Sequence, residues 1–81
     1  MTLSIISPLS KKSYKISWLE INTATGNFVI QPQHAPTILV LAPNKPITYC
    51  LKNGKQESII IPQGIVEITR TTATILTQET L

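Results

Sequence analysis

Aspartate is absent from this chain of 81 residues, and four glutamates are its whole supply of carboxylates. Glu20, Glu57, Glu67 and Glu79 fall on different strands or on the tail, at spacings that pair no two of them. A lone cysteine, Cys50, excludes an intramolecular disulfide and with it a stapled, secreted scaffold. It lies in an apolar segment and reads as a small buried hydrophobe rather than a nucleophile. One histidine beside one cysteine falls short of a zinc ligand set. Gly26, Gly54 and Gly64 are isolated turn residues, so there is no loop to cradle phosphate. Serine and threonine are common, yet no base and orienting group accompany them. An enzyme is therefore not expected, and neither is a cofactor or metal.

Long apolar runs are missing too. Nothing approaches the roughly 20 residues of a transmembrane helix. The N-terminus lacks the basic start and apolar block of a signal peptide, and it is not Arg-rich like a transit peptide. The chain is expected to work where it is made. Its length allows a single domain, residues 1–81, near the lower limit for a self-sufficient core. At such sizes one core supplies only about 3–5 kcal/mol. That suits a protein held in place by partners. The net charge is +3, with Lys11, Lys12 and Lys15 early and Lys45, Lys52 and Lys55 around a central turn. Seven basic residues, dispersed over three loops, read as solvated surface rather than as a nucleic-acid or membrane footprint.

What is present is strand. Val, Ile and Thr dominate, turn residues recur at short intervals, and no stretch holds a helical period. Thr2–Ile6 is a first strand ended by Ser7-Pro8. Tyr14, Ile16 and Trp18 alternate with polar residues, and then Leu19 and Ile21 take over the apolar phase. This switch between Trp18 and Leu19 predicts a β-bulge and a bend. Phe28–Gln31 and Thr37–Leu41 come next, then Ile47–Lys52 and Gln56–Ile61 around Asn53-Gly54, a strong hairpin signal. A three-residue loop, Asn53-Gly54-Lys55, would set Ile47, Tyr49 and Leu51 beside Ile61, Ile59 and Glu57, with a bulge at Gly54. A two-residue loop collects less apolar surface. Ile65–Thr69 and Ala73–Thr77 complete an all-β sandwich or barrel. Tyr14, Trp18, Phe28 and Tyr49 all sit at apolar phases and are assigned to the core.

One element stands apart, Gly26-Asn27-Phe28-Val29-Ile30-Gln31-Pro32-Gln33-His34-Ala35-Pro36. Two prolines bracket the lone histidine, each fixing φ and removing a backbone donor, so a strand gives way to a rigid corner. His34 has two readings. It fixes the turn by bonding to nearby backbone, or it is an exposed contact for a partner.

This element closely resembles the Gly-x-x-x-Ile-x-Pro-Gly-His-Ala-Pro signature of the epsilon subunit of F-type ATP synthases. The likeness spans nearly the whole chain. It takes in Leu3–Pro8, the apolar strand running to Leu41-Ala42-Pro43, the hairpin, Gln63-Gly64-Ile65-Val66-Glu67-Ile68, and Ala73-Thr74-Ile75-Leu76. By this resemblance the fold is a flattened β-sandwich of about ten short strands. The function implied is that of a non-catalytic rotor subunit, which links the gamma subunit to the c-ring and couples proton flow to ATP synthesis. The place implied is the cytoplasmic face of a bacterial inner membrane, or the equivalent face in an energy-transducing organelle, reached only through the complex. Asn27, Gln31, Gln33, His34, Ala35 and Thr37 are the expected ring contacts. The hairpin strand and Ile65–Ile68 are weaker candidates for the gamma contact.

Several positions depart from the family pattern. Gln33 replaces the turn glycine, so the turn is expected to manage without glycine's positive φ. Gln63 replaces the first residue of a Gly-Gly turn, and Asn27 stands where the family carries an acid. Many members also have a C-terminal helical hairpin. This chain ends after the last sandwich strand, so it resembles the N-terminal domain alone, and no inhibitory or ATP-sensing role carries over. The alternative is a small β-barrel module for single-stranded nucleic acid or another protein.

Overall fold

Proline and glycine divide the chain where their backbone constraints demand. The computed structural model describes residues 1–78, and the tail carboxylate Glu79 lies outside the described residues. The described residues form eight strands in order: β1 (Thr2–Ser7), β2 (Ser10–Thr23), β3 (Gly26–Ile30), β4 (Thr37–Val40), β5 (Lys45–Leu51), β6 (Gln56–Ile61), β7 (Ile65–Ile68) and β8 (Thr72–Leu76). There are fewer strands than expected, chiefly because β2 runs unbroken for 14 residues and serves both sheets.

The first half of β2 pairs with β1, which pairs in parallel with β8; β7 and then β4 complete that sheet. The second half pairs with β3 on one side and β5 on the other, and β6 closes the second sheet. A register shift between Ile16 and Trp18 carries β2 from one sheet to the other. A bulge bends a strand in this way, and a bent strand can turn the corner of a sandwich.

The bulge lies slightly earlier than the sequence suggests, and this corrects one assignment. Ile16, Leu19 and Ile21 all point inward and are fully buried. Trp18 therefore falls on the outer face with Glu20, only half-buried. Phe28 sits at the rim, 36% exposed. Only Tyr14 and Tyr49 pack into the core as aromatics, their ring centroids 5.1 Å apart. Leu3, Ile5, Val66, Ile68, Ala73 and Ile75 from the first sheet meet Ile16, Leu19, Ile21, Ile30, Ile47 and Ile61 from the second. Each of the Leu, Ile and Val side chains contributes about 1.5–3 kcal/mol on burial. Cys50 is buried as expected.

The hairpin needs a second correction. Its loop is Lys52-Asn53-Gly54, with the Gly54 N–H donating to the Leu51 carbonyl at 2.9 Å and the Leu51 N–H to the Lys55 carbonyl at 2.8 Å. Gly54 has φ of 92°, as the expected bulge requires. The pairs are Ile47 with Ile59 and Tyr49 with Glu57, two residues away from the expected register. A two-residue slip leaves every side chain on the same face, so the hydrophobic pattern cannot tell the two apart.

The lysines are a third correction. Lys11, Lys12 and Lys15 lie on β2 and Lys45 on β5, not in loops.

Candidate partner-contact site

Among the described residues β3 pairs with β2 alone, at an edge of the second sheet. At its end Gln31-Pro32-Gln33-His34 forms a tight turn closed by the His34 N–H donating to the Gln31 carbonyl at 3.2 Å. Proline at the second position and positive φ at the third define a type II turn. Gln33 takes that third position with φ of 70°. The expectation of a turn without positive φ is thus corrected: a glutamine adopts the backbone that glycine adopts freely. A left-handed residue with a Cβ costs about 1–2 kcal/mol.

Two contacts oppose that cost. The Gln33 N–H donates to the Arg70 carbonyl at 2.7 Å. The Arg70 guanidinium reaches back to the Gln33 carbonyl at 3.4 Å. Arg70 stands on a turn that is itself braced, because Thr69 Oγ1 accepts the N–H groups of Thr71 at 3.3 Å and Thr72 at 3.0 Å. The corner between β3 and β4 is stapled to the tip between β7 and β8.

His34 is half-buried, and its Nδ1 lies 2.7 Å from the Ala35 carbonyl. The carbonyl only accepts, so Nδ1 carries the proton and the ring fixes the turn. Ala35 is exposed, and Thr37 starts β4 opposite Ile68. Gln31 lines a shallow groove of about 220 Å³ with Trp18, Glu20 and Val29. The structure therefore gathers Gln31, Gln33, His34 and Ala35 at one corner. Asn27 is apart from them: it lies near the other end of β3, roughly 13 Å away at about 3.3 Å per residue. Its Nδ2 donates to Asn22 Oδ1 at 3.2 Å.

A second surface lies on the outer face of the first sheet. Val40, Ile65, Leu76 and Ile6 stand directly opposite one another across β4, β7, β8 and β1. Val40 is 69% exposed and Ile38 beside it 62%. A groove of about 520 Å³ runs past Ile6, Ile65 and Leu76 to Pro8 and Gln78. The sequence signal is apolarity in both phases, as in Ile38-Leu39-Val40, Ile65-Val66 and Ile75-Leu76. Strands of that kind are covered on both faces. Expectation singled out only Ile65–Ile68 here, and Arg70 was missed altogether.

Among the described residues no group of three or more His, Cys, Asp or Glu side chains is placed to hold a metal. The proton affinity of Tyr49 is pushed up to about 12, by burial first and then by the neighbouring Tyr14 hydroxyl.

A stapled corner, a free edge and an apolar outer face on an all-β sandwich define a small docking module. The whole chain, residues 1–81, matches the family model described as ATP synthase, delta/epsilon chain, β-sandwich domain, and the protein belongs to that family. No curated protein matches it in sequence. Among solved structures it resembles a chain in the cryo-EM structure of the Euglena gracilis mitochondrial ATP synthase (OSCP, F1 and c-ring, rotational state 1). The TM-score is 0.87 and the identity 21%, over 98% of this chain and 51% of that one. It also resembles a chain in the Tetrahymena thermophila mitochondrial ATP synthase central stalk and c-ring structure, with a TM-score of 0.81 and 20% identity. There the match covers 98% of this chain and 63% of that one. The chain thus spans between about half and two thirds of these relatives, and the likeness is one of fold.

Proposed function

We propose that this domain is part of a non-catalytic rotor subunit of a proton-translocating F-type ATP synthase, seated at the foot of the central stalk. The observation that carries this reading is the family match over the whole chain. Torque passes between ring and stalk only through a joint that does not slip. The stapling of the Gln33 corner to Arg70 gives such a joint. The corner residues Gln31, Gln33, His34 and Ala35, with Asn27 along the β3 edge and Thr37 behind, face the polar loops of the c-ring. The apolar row on the first sheet packs on the gamma subunit. Association with the cytoplasmic face of a bacterial inner membrane, or its organelle equivalent, follows from membership of the complex. The chain does no chemistry of its own.

The nucleic-acid alternative needs aromatic side chains on one platform. Trp18 points to the outer face of the second sheet and Phe28 to the inner rim, so no such platform forms.

Co-expression with the gamma subunit and c-ring from the same genome tests the proposal. Recovery of a stoichiometric complex is the expected result. A stable monomer that captures neither partner would overturn the stalk role. Within the complex, replacing His34 or Gln33 is expected to lower coupled ATP synthesis while hydrolysis by the catalytic head persists.

A further inference from the structure

The charge of this domain is gathered on one edge. The first half of β2 bonds to β1 on one side, and among the described residues no strand pairs with its other side from Ser10 to Tyr14. Lys11, Lys12 and Lys15 are exposed along it. The hairpin tip brings Lys52 alongside, its N–H donating to the Lys15 carbonyl at 3.3 Å, and Lys55 follows. Among the described residues the only carboxylate close by is Glu57, paired with Lys55 at 3.2 Å. These five lysines and Glu57 together carry +4, and the remaining charges of the sequence sum to −1, so the edge is the source of the net +3. Glu67 lies three strands away, about 14 Å at the usual strand spacing. The opposite edge of the same sheet, β4, carries no charge.

An edge lysine commonly prevents pairing between copies. Lys12, in the inward phase opposite Ile5, serves that purpose by itself. Lys11 and Lys15 in the outward phase, and Lys52 beyond the edge, add a cationic field that protection does not require. The open backbone supplies unpaired N–H and C=O groups in the same place. Side chains of the edge exclude two other polyanions. No exposed aromatic stands here to stack bases, because Tyr14 is half-buried against Tyr49. Leu9, 82% exposed in the turn before Ser10, is the one large apolar side chain exposed at this edge, and a single leucine is too little to seat it in a lipid surface.

We infer that the first half of β2 is a docking edge for an extended acidic segment of a partner protein. The segment adds as a strand to β2 and sets carboxylates opposite Lys11, Lys12, Lys15 and Lys52. Backbone pairing supplies affinity, and the lysines select acid and repel a second copy of this chain. The edge is separate from the proline corner, so both surfaces are available at once.

The test uses the full chain and a fluorescent peptide alternating Glu with Val. Binding is read by anisotropy and mapped by backbone amide shifts. The expected result is shifts confined to residues 10–15 and 52–55, and affinity about tenfold weaker between about 50 and 300 mM NaCl. Lys11→Glu with Lys12→Glu weakens binding at least about tenfold, and so does Lys11→Gln with Lys12→Gln, which guards against misfolding. Lys45→Glu, at a distant site, leaves it unchanged. A peptide N-methylated at alternate amides keeps its charge but cannot pair, and it loses binding. Equal binding of that peptide overturns strand addition. Tighter binding of anionic vesicles or of a single-stranded oligonucleotide overturns the choice of partner, and no binding of the acidic peptide overturns the proposal entirely.

Discussion

Arg70 holds Gln33 by both of its backbone polar groups, its carbonyl accepting the Gln33 N–H at 2.7 Å and its guanidinium donating to the Gln33 carbonyl at 3.4 Å. The two residues are 37 positions apart, so the clamp joins two loops rather than bracing one. Arg70→Ala keeps the backbone bond and loses the side-chain donor. Global stability is expected to fall by less than about 1 kcal/mol, since the site is exposed. The amide protons of Gln33 and His34 are expected to exchange with solvent markedly faster. Hydrogen exchange at single-residue resolution checks this, and unchanged rates would show the guanidinium to be idle.

Gln33→Gly is expected to stabilise the domain. Glycine accepts φ of 70° without the Cβ clash, and the gain exceeds its larger loss of chain entropy. The net effect is about 0.5–1 kcal/mol, a rise of a few degrees in the melting temperature of a chain this size. Calorimetry of the two proteins is the measurement. Gln33→Val, with its stiff branched side chain, should move the opposite way.

Gly64→Ala is expected to cost about 1–3 kcal/mol. A Cβ there would meet the Leu76 carbonyl oxygen at 2.8 Å, with Ile61 Cγ2 at 3.4 Å and Leu41 Cδ1 at 3.5 Å. The first of these is backbone in a paired strand and cannot step aside. Urea denaturation gives the loss directly. Gly26→Ala, where nothing lies within 4 Å but φ is 139°, is expected to strain the backbone without any crowding, so the two costs are read separately.

Stability should decline in alkali because of Tyr49. Its proton affinity is raised from the ordinary 10.0 to about 12 in the folded state. Above pH 10 the unfolded chain releases that proton first, so the unfolded state is favoured progressively until the folded group also titrates. The contribution is intact below pH 10 and is lost on the way to pH 12. Urea midpoints across this range should fall, and the fall should be shallower in Tyr49→Phe.

Leu76→Glu is expected to abolish capture of the gamma subunit while leaving the isolated domain folded. Leu76 is 41% exposed in the middle of the apolar row, so the substitution alters the surface more than the core. Its cost to stability should stay within about 1 kcal/mol. A pull-down beside a thermal melt separates the two effects. Undiminished capture would move the gamma contact to another face.

Local chemistry explains which features were legible in the sequence. Asn53-Gly54 announced a hairpin with a bulge because glycine's freedom is a property of a few adjacent residues. Pro32 and Pro36 announced the corner for the same reason. Apolar alternation assigned Ile47, Tyr49, Ile59 and Ile61 to one face, but it was blind to the two-residue slip that separates the expected from the observed register. Trp18 was placed in the core because its phase matched Ile16. The bulge between them reverses that phase, and no residue at Ser17 signals it.

The sequence by itself therefore determined an all-β domain, the places of its turns, its stiff corner and, away from the bulge in β2, the inward face of most strands. These follow from backbone constraints and from a side-chain period of two, both felt within a few residues. Tertiary structure decided the rest. It bent β2 through both sheets, laid β1 parallel to β8, brought Arg70 to Gln33, aligned Val40, Ile65, Leu76 and Ile6 in one row, and set Lys52 beside Lys15. Each of these joins residues far apart in the chain, and such pairings are chosen by the packing of the whole core, where many registers satisfy the local pattern and only one buries it all.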